Sequence, residues 1–198
     1  LKTHFRDGAT VMRIALRVSL VVVVAATIVG CQSNSSQVTK PQPDRAAEIN
    51  LELGIQHFKK GNLSEAKEKI DRAIEQNPRN AKAQATAGLL YDRLGDTKKA
   101  DGYFDRAMSL EPKDPDIANN YSAFLCKNGR HERGEKVALQ AATNPLYKTP
   151  EIAYTNAGNC ARSAGQMARA EENYRKALSV NPRFSAALYE LIEVKLTQ

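Results

Sequence analysis

Apolar and small residues return at a fixed interval along most of this chain, and the same two stops punctuate them each time. Aligning "LGIQHFKKGNLSEAKEKIDRAIEQNP" with "AGLLYDRLGDTKKADGYFDRAMSLEP" and "AGNCARSAGQMARAEENYRKALSVNP" superimposes Gly54, Gly88 and Gly158, and likewise Gly61, Gly95 and Gly165. Three further sets coincide: Ala66, Ala100 and Ala170; Ala73, Ala107 and Ala177; Pro78, Pro112 and Pro182. Gly54 to Gly88 is 34 residues and Gly88 to Gly158 is 70, room for one intervening unit with two extra residues. Each unit predicts two amphipathic helices. The first runs to the second Gly, which suits a left-handed C-terminal cap. The second stops at a Pro, whose ring and missing N–H cannot continue a helix. Small residues sit at the first Gly and both Ala positions because helices packed about 8–10 Å apart leave no space there for larger ones.

This period and small-residue pattern resemble the tetratricopeptide repeat. The resemblance implies an all-α fold, a superhelical solenoid of helix-turn-helix units. The repeats fall at 47–80, 81–114, 115–150 and 151–184, within a folded domain over 47–198. Repeat three is degenerate, with Ser122 and Gly134 in place of the expected Gly and Ala and its extra residues around "TNPLYKTP". The segment 185–198 reads as the first helix of another unit, with Leu188, Leu191, Ile192 and Leu196 on one face. It either caps the solenoid or lacks its partner, and the chain is expected to be truncated there.

Ahead of the repeats the pattern changes twice. Arg13 and Arg17 precede a largely apolar stretch over 18–29, about 18 Å as a helix and short of the roughly 30 Å core of a bilayer. Residues 1–30 therefore read as a signal peptide rather than an anchor helix, with Met12 a better start than Leu1. "IVGC", ending at Cys31, resembles the lipobox of bacterial lipoproteins. Small residues there admit a peptidase to the backbone, and the thiol accepts the diacylglycerol. Cys31 is thus expected to be lipidated. Gln32, where Asp would resemble an inner-membrane retention signal, points to the outer membrane. Residues 31–46 form a spacer poor in apolar residues, "QSNSSQVTKPQPDRA" following the cysteine, unable to bury enough surface to offset its chain entropy.

Composition sharpens this in two respects. With 42% hydrophobic residues and no Trp, a core must be built from Ala, Leu, Ile, Val and Tyr, which favours helices. Of the net charge of +7, Lys2, Arg6, Arg13 and Arg17 against Asp7 contribute three, so the basic balance is partly a property of the signal. Elsewhere Lys and Arg alternate with Glu and Asp, as in "EAKEKIDRAIE". That describes a solvated helix face rather than a nucleic-acid surface.

Solenoids of this kind bind proteins with the face built from their first helices. The fifth, ninth and twelfth positions are expected there: Leu51, Ile55 and Phe58 in repeat one, and Ala85, Leu89 and Asp92 in repeat two. Leu51, Ile55, Phe58 and Leu89 make an apolar groove suited to a partner helix, unless they fill core. Asn119, Thr155 and Asn159 offer hydrogen bonds to an extended peptide. Cys126 and Cys160 lie on the first helices of adjacent repeats, in a domain read as exported to an oxidising compartment. A disulfide between them is expected, two buried free thiols being the alternative.

"NNYSAFLCKNGR" and "NAGNCARSAGQMARAEENYRKAL" further resemble the type IV pilus biogenesis and stability lipoproteins, the tetratricopeptide pilotins. Asn119, Asn120, Tyr121, Phe124, Leu125 and Cys126 match the family's third repeat, Ser122 departs from it, and Cys160 falls where a second family cysteine does. The resemblance implies a non-catalytic scaffold that binds the secretin subunit of the pilus machine and is held by lipid at the periplasmic face of the outer membrane. An alternative client is a cell-wall synthase or an outer-membrane assembly machine. The chain supplies no paired carboxylates, metal-ligand spacing or nucleophile motif around His4, His57 or His131. No enzyme, cofactor, metal or small-molecule substrate is expected.

Overall fold

The structure, a computed structural model, describes residues 43–197, and the expectations on the signal segment, Cys31 and most of the spacer lie outside them. Among the described residues there are nine helices. They are α1 (Pro43–Lys59), α2 (Leu63–Gln76), α3 (Ala81–Arg93), α4 (Thr97–Leu110), α5 (Pro115–Lys127), α6 (His131–Ala142), α7 (Pro150–Ser163), α8 (Met167–Val180) and α9 (Ser185–Leu196). Helices α1 to α8 form four hairpins, and α1, α3, α5 and α7 also pack in sequence beside one another. This is an all-α solenoid of helix-turn-helix units, as the repeat resemblance implies.

Each hairpin turns on a glycine in the left-handed region: Gly61, Gly95, Gly129 and Gly165 have φ between 75° and 82°. In the second hairpin Gly95 N–H donates to the Asp92 carbonyl and Asp96 N–H reaches back to Tyr91 at 2.9 Å, so the orphan carbonyls of α3 are satisfied. The Asp96 side chain then accepts from Lys99 N–H and caps α4. One hairpin thus ends and restarts within three residues.

Small residues set the spacing inside each hairpin. A Cβ at Gly88 would stand 2.8–2.9 Å from the Phe104 ring, and Gly54 and Gly158 lie as close against Ile70 and Tyr174. In repeat three the bulk is exchanged: Ser122 stands on the first helix, and Ala138 occupies the place of Ile70, Phe104 and Tyr174 on the second. From the second hairpin onward, charged groups join consecutive hairpins. Arg130 donates two hydrogen bonds to Asp101, at 2.8 and 2.9 Å, and Tyr121 Oη donates to Asp101 and Asp105. The Arg130 bonds hold the Asp101 carboxyl below its ordinary range, while burial, aided by those carboxylates, pushes the Tyr121 phenol up. One hairpin further on, the buried Glu135 accepts from Arg169 at 2.6 Å and Asn173 at 3.1 Å.

Two boundaries differ from those read in the sequence. Helix α1 begins at Pro43 rather than near Ala47, because a proline at the first helical position is already set for helix and Asp44 accepts from Asn77 Nδ2 at 3.0 Å. Helix α9 packs through Ala187, Leu191 and Val194, so of the expected face only Leu191 points inward. Leu188, Ile192 and Leu196 are exposed.

Candidate functional site

Side-by-side packing of α3 and α5 leaves a cavity of about 330 Å³ on the first-helix face. Its floor is apolar, from Ala85, Leu89 and Ile117, and its rim carries Lys82, Thr86, Asp114, Asp116 and Asn120. A neighbouring depression of about 440 Å³ between α1 and α3 adds Glu48, Ile49, Leu51, Glu52 and Asn80 and shares Lys82. The two adjoin at Lys82 as a trough along the first-helix face. Lys82 and Asp116 are exposed and make no ion pair among the described residues. Asp114 caps α5 by accepting from Ile117 N–H at 2.9 Å. The arrangement can seat a side chain on the floor while rim groups meet a polypeptide lying across both helices.

The trough keeps Leu51, Ala85 and Leu89 of the expected stripe and adds residues beside it. Leu51 lines the depression between α1 and α3, but it is only 4% exposed and packs on Ala73 of α2 and Ala83 of α3, so most of its side chain is core. Ile55 is half-buried in the same cluster, and Phe58 is half-buried against the central core. Leu89 is half-buried and does line the cavity. Asp92 pairs with Lys127 at 3.0 Å. The expected polar partners are also engaged: Asn119 accepts from Asn156 at 2.8 Å, Thr155 donates to the Glu151 carbonyl, and Asn159 accepts from Tyr174 Oη. Burial pushes that phenol up to about 12.

The reason is helical geometry. When first helices stack, the fifth position turns into the seam between repeats, and the second and sixth positions, about 60° and 100° around the helix from it, border the mouth. Glu48, Lys82 and Asp116 hold the second position; Glu52, Thr86 and Asn120 hold the sixth. A sequence signal existed for them: polar residues set beside apolar or small ones in the first helices of repeats one to three.

Cys126 of α5 and Cys160 of α7 are joined as a disulfide with Cα atoms 5.2 Å apart. Gly134 of α6 lies against it: a Cβ there would collide with Cys126 Sγ and approach Cys160 Sγ to 3.2 Å. His57 and His131 each bury Nδ1 without a partner. Among the described residues no three His, Cys, Asp or Glu side chains gather as a metal site.

The tetratricopeptide repeat family matches residues 51–116 and again 152–184. The type IV pilus assembly protein PilF of Pseudomonas aeruginosa is 25% identical over 182 residues, covering 90% of this chain and 72% of that protein. The crystal structure of PilW, a widely conserved type IV pilus biogenesis factor, is 30% identical with a TM-score of 0.72, covering 76% of this chain and 69% of PilW. The solved PilF structure shares the fold at a TM-score of 0.74 and 24% identity, over 78% and 70% of the two chains. Cellulose synthase 1 operon protein C of Komagataeibacter xylinus is 29% identical over 79% of this chain but only 12% of its own length.

Proposed function

Because this chain belongs to the tetratricopeptide-repeat family, in its PilF/PilW type, we propose that it is a lipid-tethered scaffold for the secretin of a type IV pilus machine. The observation that carries the reading is the trough between α3 and α5, an apolar floor with an unpaired cation and carboxylate at its rim, on a fold with the PilW likeness described above. Such a site takes a segment of another polypeptide: main-chain groups meet Asn120, and one apolar side chain enters over Ala85 and Leu89. Diacylglycerol on Cys31 supplies the address. Tether and trough in one chain turn capture of the secretin segment into a local event, at an effective concentration far above that in free solution. The outer membrane is the place this reading requires.

Lys82→Glu combined with Asn120→Arg alters the rim and leaves the core untouched. Circular dichroism is expected to be unchanged, while pull-down from detergent extract loses the secretin and its multimers disappear. Normal multimers with the double variant would remove the trough from the mechanism, and recovery of a cell-wall synthase or a barrel-assembly protein instead would replace the client.

A further inference from the structure

The turns that join one hairpin to the next share a local structure. In three of them an Asn side chain accepts the backbone N–H two residues ahead, just after a proline. Asn77 accepts from Arg79 at 3.0 Å, Asn144 from Leu146 at 2.9 Å and Asn181 from Arg183 at 3.2 Å. This turn fixes the backbone at that position, so Arg79, Leu146 and Arg183 leave the chain equivalently. Lys113 follows Pro112 in the remaining turn. All four are exposed, Leu146 to 83%. Arg79, Lys113, Arg183 and the nearby Lys148 make no ion pair among the described residues. The carboxylates of these turns are Glu111 and Asp114, and Asp114 is engaged as the cap of α5. Asp44, Asp116 and Glu151 stand in the first turns of the helices that begin beside this edge, while the unpaired cations project from the turns themselves.

The turns also adjoin one another and the start of the fold. Asn144 Nδ2 donates to the Lys113 carbonyl at 2.8 Å and Gln140 Nε2 to that of Pro112 at 2.7 Å, tying the third turn to the second. Asn77 Nδ2 donates to Asp44 at 3.0 Å, tying the first to the beginning of α1. The chain that carries Cys31 thus joins the fold at this edge. Cys31 precedes Pro43 by about a dozen residues, a reach of at most about 40 Å.

We propose that this edge docks on an anionic phospholipid surface, with Leu146 entering the headgroup layer and Arg79, Lys113, Lys148 and Arg183 meeting lipid phosphates. The inference rests on the lipid-tether reading for the presence of the bilayer, and adds the orientation of the solenoid upon it. Each cation near an anionic membrane raises partitioning about fivefold. For a chain already held by acyl groups the contact is intramolecular, so a weak contact suffices. A tether alone leaves the domain free to rotate; the turn edge fixes it.

The chain has no Trp, so a single introduced one reports its surroundings without background. Full chains carrying Leu146→Trp, or Leu94→Trp in the α3–α4 turn at the opposite edge, are purified from membranes and placed on phosphatidylethanolamine/phosphatidylglycerol vesicles with brominated acyl chains. Trp at 146 is expected to emit blue-shifted and to be quenched; Trp at 94 is expected to do neither. Adding Arg79→Glu, Lys113→Glu, Lys148→Glu and Arg183→Glu returns the first signal to that of water, as do vesicles of phosphatidylcholine alone. Flotation of the same chains reads the tether. Chains that float with residue 146 in water, or with residue 94 quenched instead, overturn the edge and leave the tether standing; chains that do not float overturn both readings.

Discussion

Gly134 shows how one atom decides a position. Read against its counterparts Ala66, Ala100 and Ala170, it looks like decay of the pattern. In the fold it is the space into which the Cys126–Cys160 disulfide fits. A methyl group there collides with sulfur, and overpacking of this kind costs about 1–3 kcal/mol. Helix propensity acts in the opposite sense, Ala being favoured over Gly by about 1 kcal/mol. The collision therefore wins only while the sulfurs are in place. Gly134→Ala is expected to lower Tm by several degrees, at about 2–4 °C per kcal/mol for a domain of this size. In a Cys126→Ser/Cys160→Ser background the same change is expected to be near neutral, with the Ser122 carbonyl at 3.2 Å limiting any gain. Thermal melts of the four chains form a double-mutant cycle. Equal losses in both backgrounds would assign the glycine to backbone needs alone.

At the scale of a helix, what was legible in the sequence was whatever acts locally. Turn glycines, closing prolines and small residues at the hairpin contact declare themselves by type and spacing, so the hairpins could be placed within a few residues. Gly129 completes that series, hidden by the other departures of repeat three. What stays hidden depends on neighbours. Leu51 and Glu52 are adjacent in α1 and both border the trough, and only the stacking of α3 decides that the first is almost wholly buried and the second stays exposed. Helix α9 presents apolar residues on more than one side, so its sequence could not say that Ala187 and Val194 would be the buried ones. The start of α1 was missed because Asp44 and Arg45 are exposed and carry no apolar signal. Two substitutions separate seam from mouth. Leu51→Asp places a carboxylate among Ala73 and Ala83, where an unpaired charge is severely unfavourable, and repeat one is expected to lose helicity and protection from exchange. Glu52→Lys is expected to stay within about 0.5 kcal/mol, as exposed substitutions do. Circular dichroism and urea melts check both, and a folded Leu51→Asp protein would return that side chain to the binding surface.

Across the whole stack, each hairpin touches only its neighbours, so stability is close to a sum of hairpins and junctions. The junctions differ in kind. Between the second and third hairpins stand Asp92–Lys127, Asp101–Arg130 and Asp105–Arg133, and beyond the fourth stand Arg162–Glu190 and Glu171–Lys195. Between the first and second, Leu51, Ala73 and Ala83 pack together, and Lys67 lies over the Tyr91 ring at 5.9 Å. Acid should therefore act unevenly along the solenoid. Asp101 is held below its ordinary value, first by the hydrogen bonds from Arg130. Its ionised form thus contributes stability that is present above the unfolded value of about 3.9 and is lost as pH falls through the lower folded value. Asp101→Asn removes the charge at every pH. The Tm gap between wild type and variant is expected to be widest near neutral pH and to close below about pH 4. Because both the carboxylate and Arg130 remain about one-third exposed, solvent screens the pair and the gap should be modest. Hydrogen exchange at pH 7 locates the effect: the variant should lose protection in α4, α5 and α6, with α1 and α2 unchanged. Uniform loss along all nine helices would mean that the repeats melt as one cooperative body rather than junction by junction.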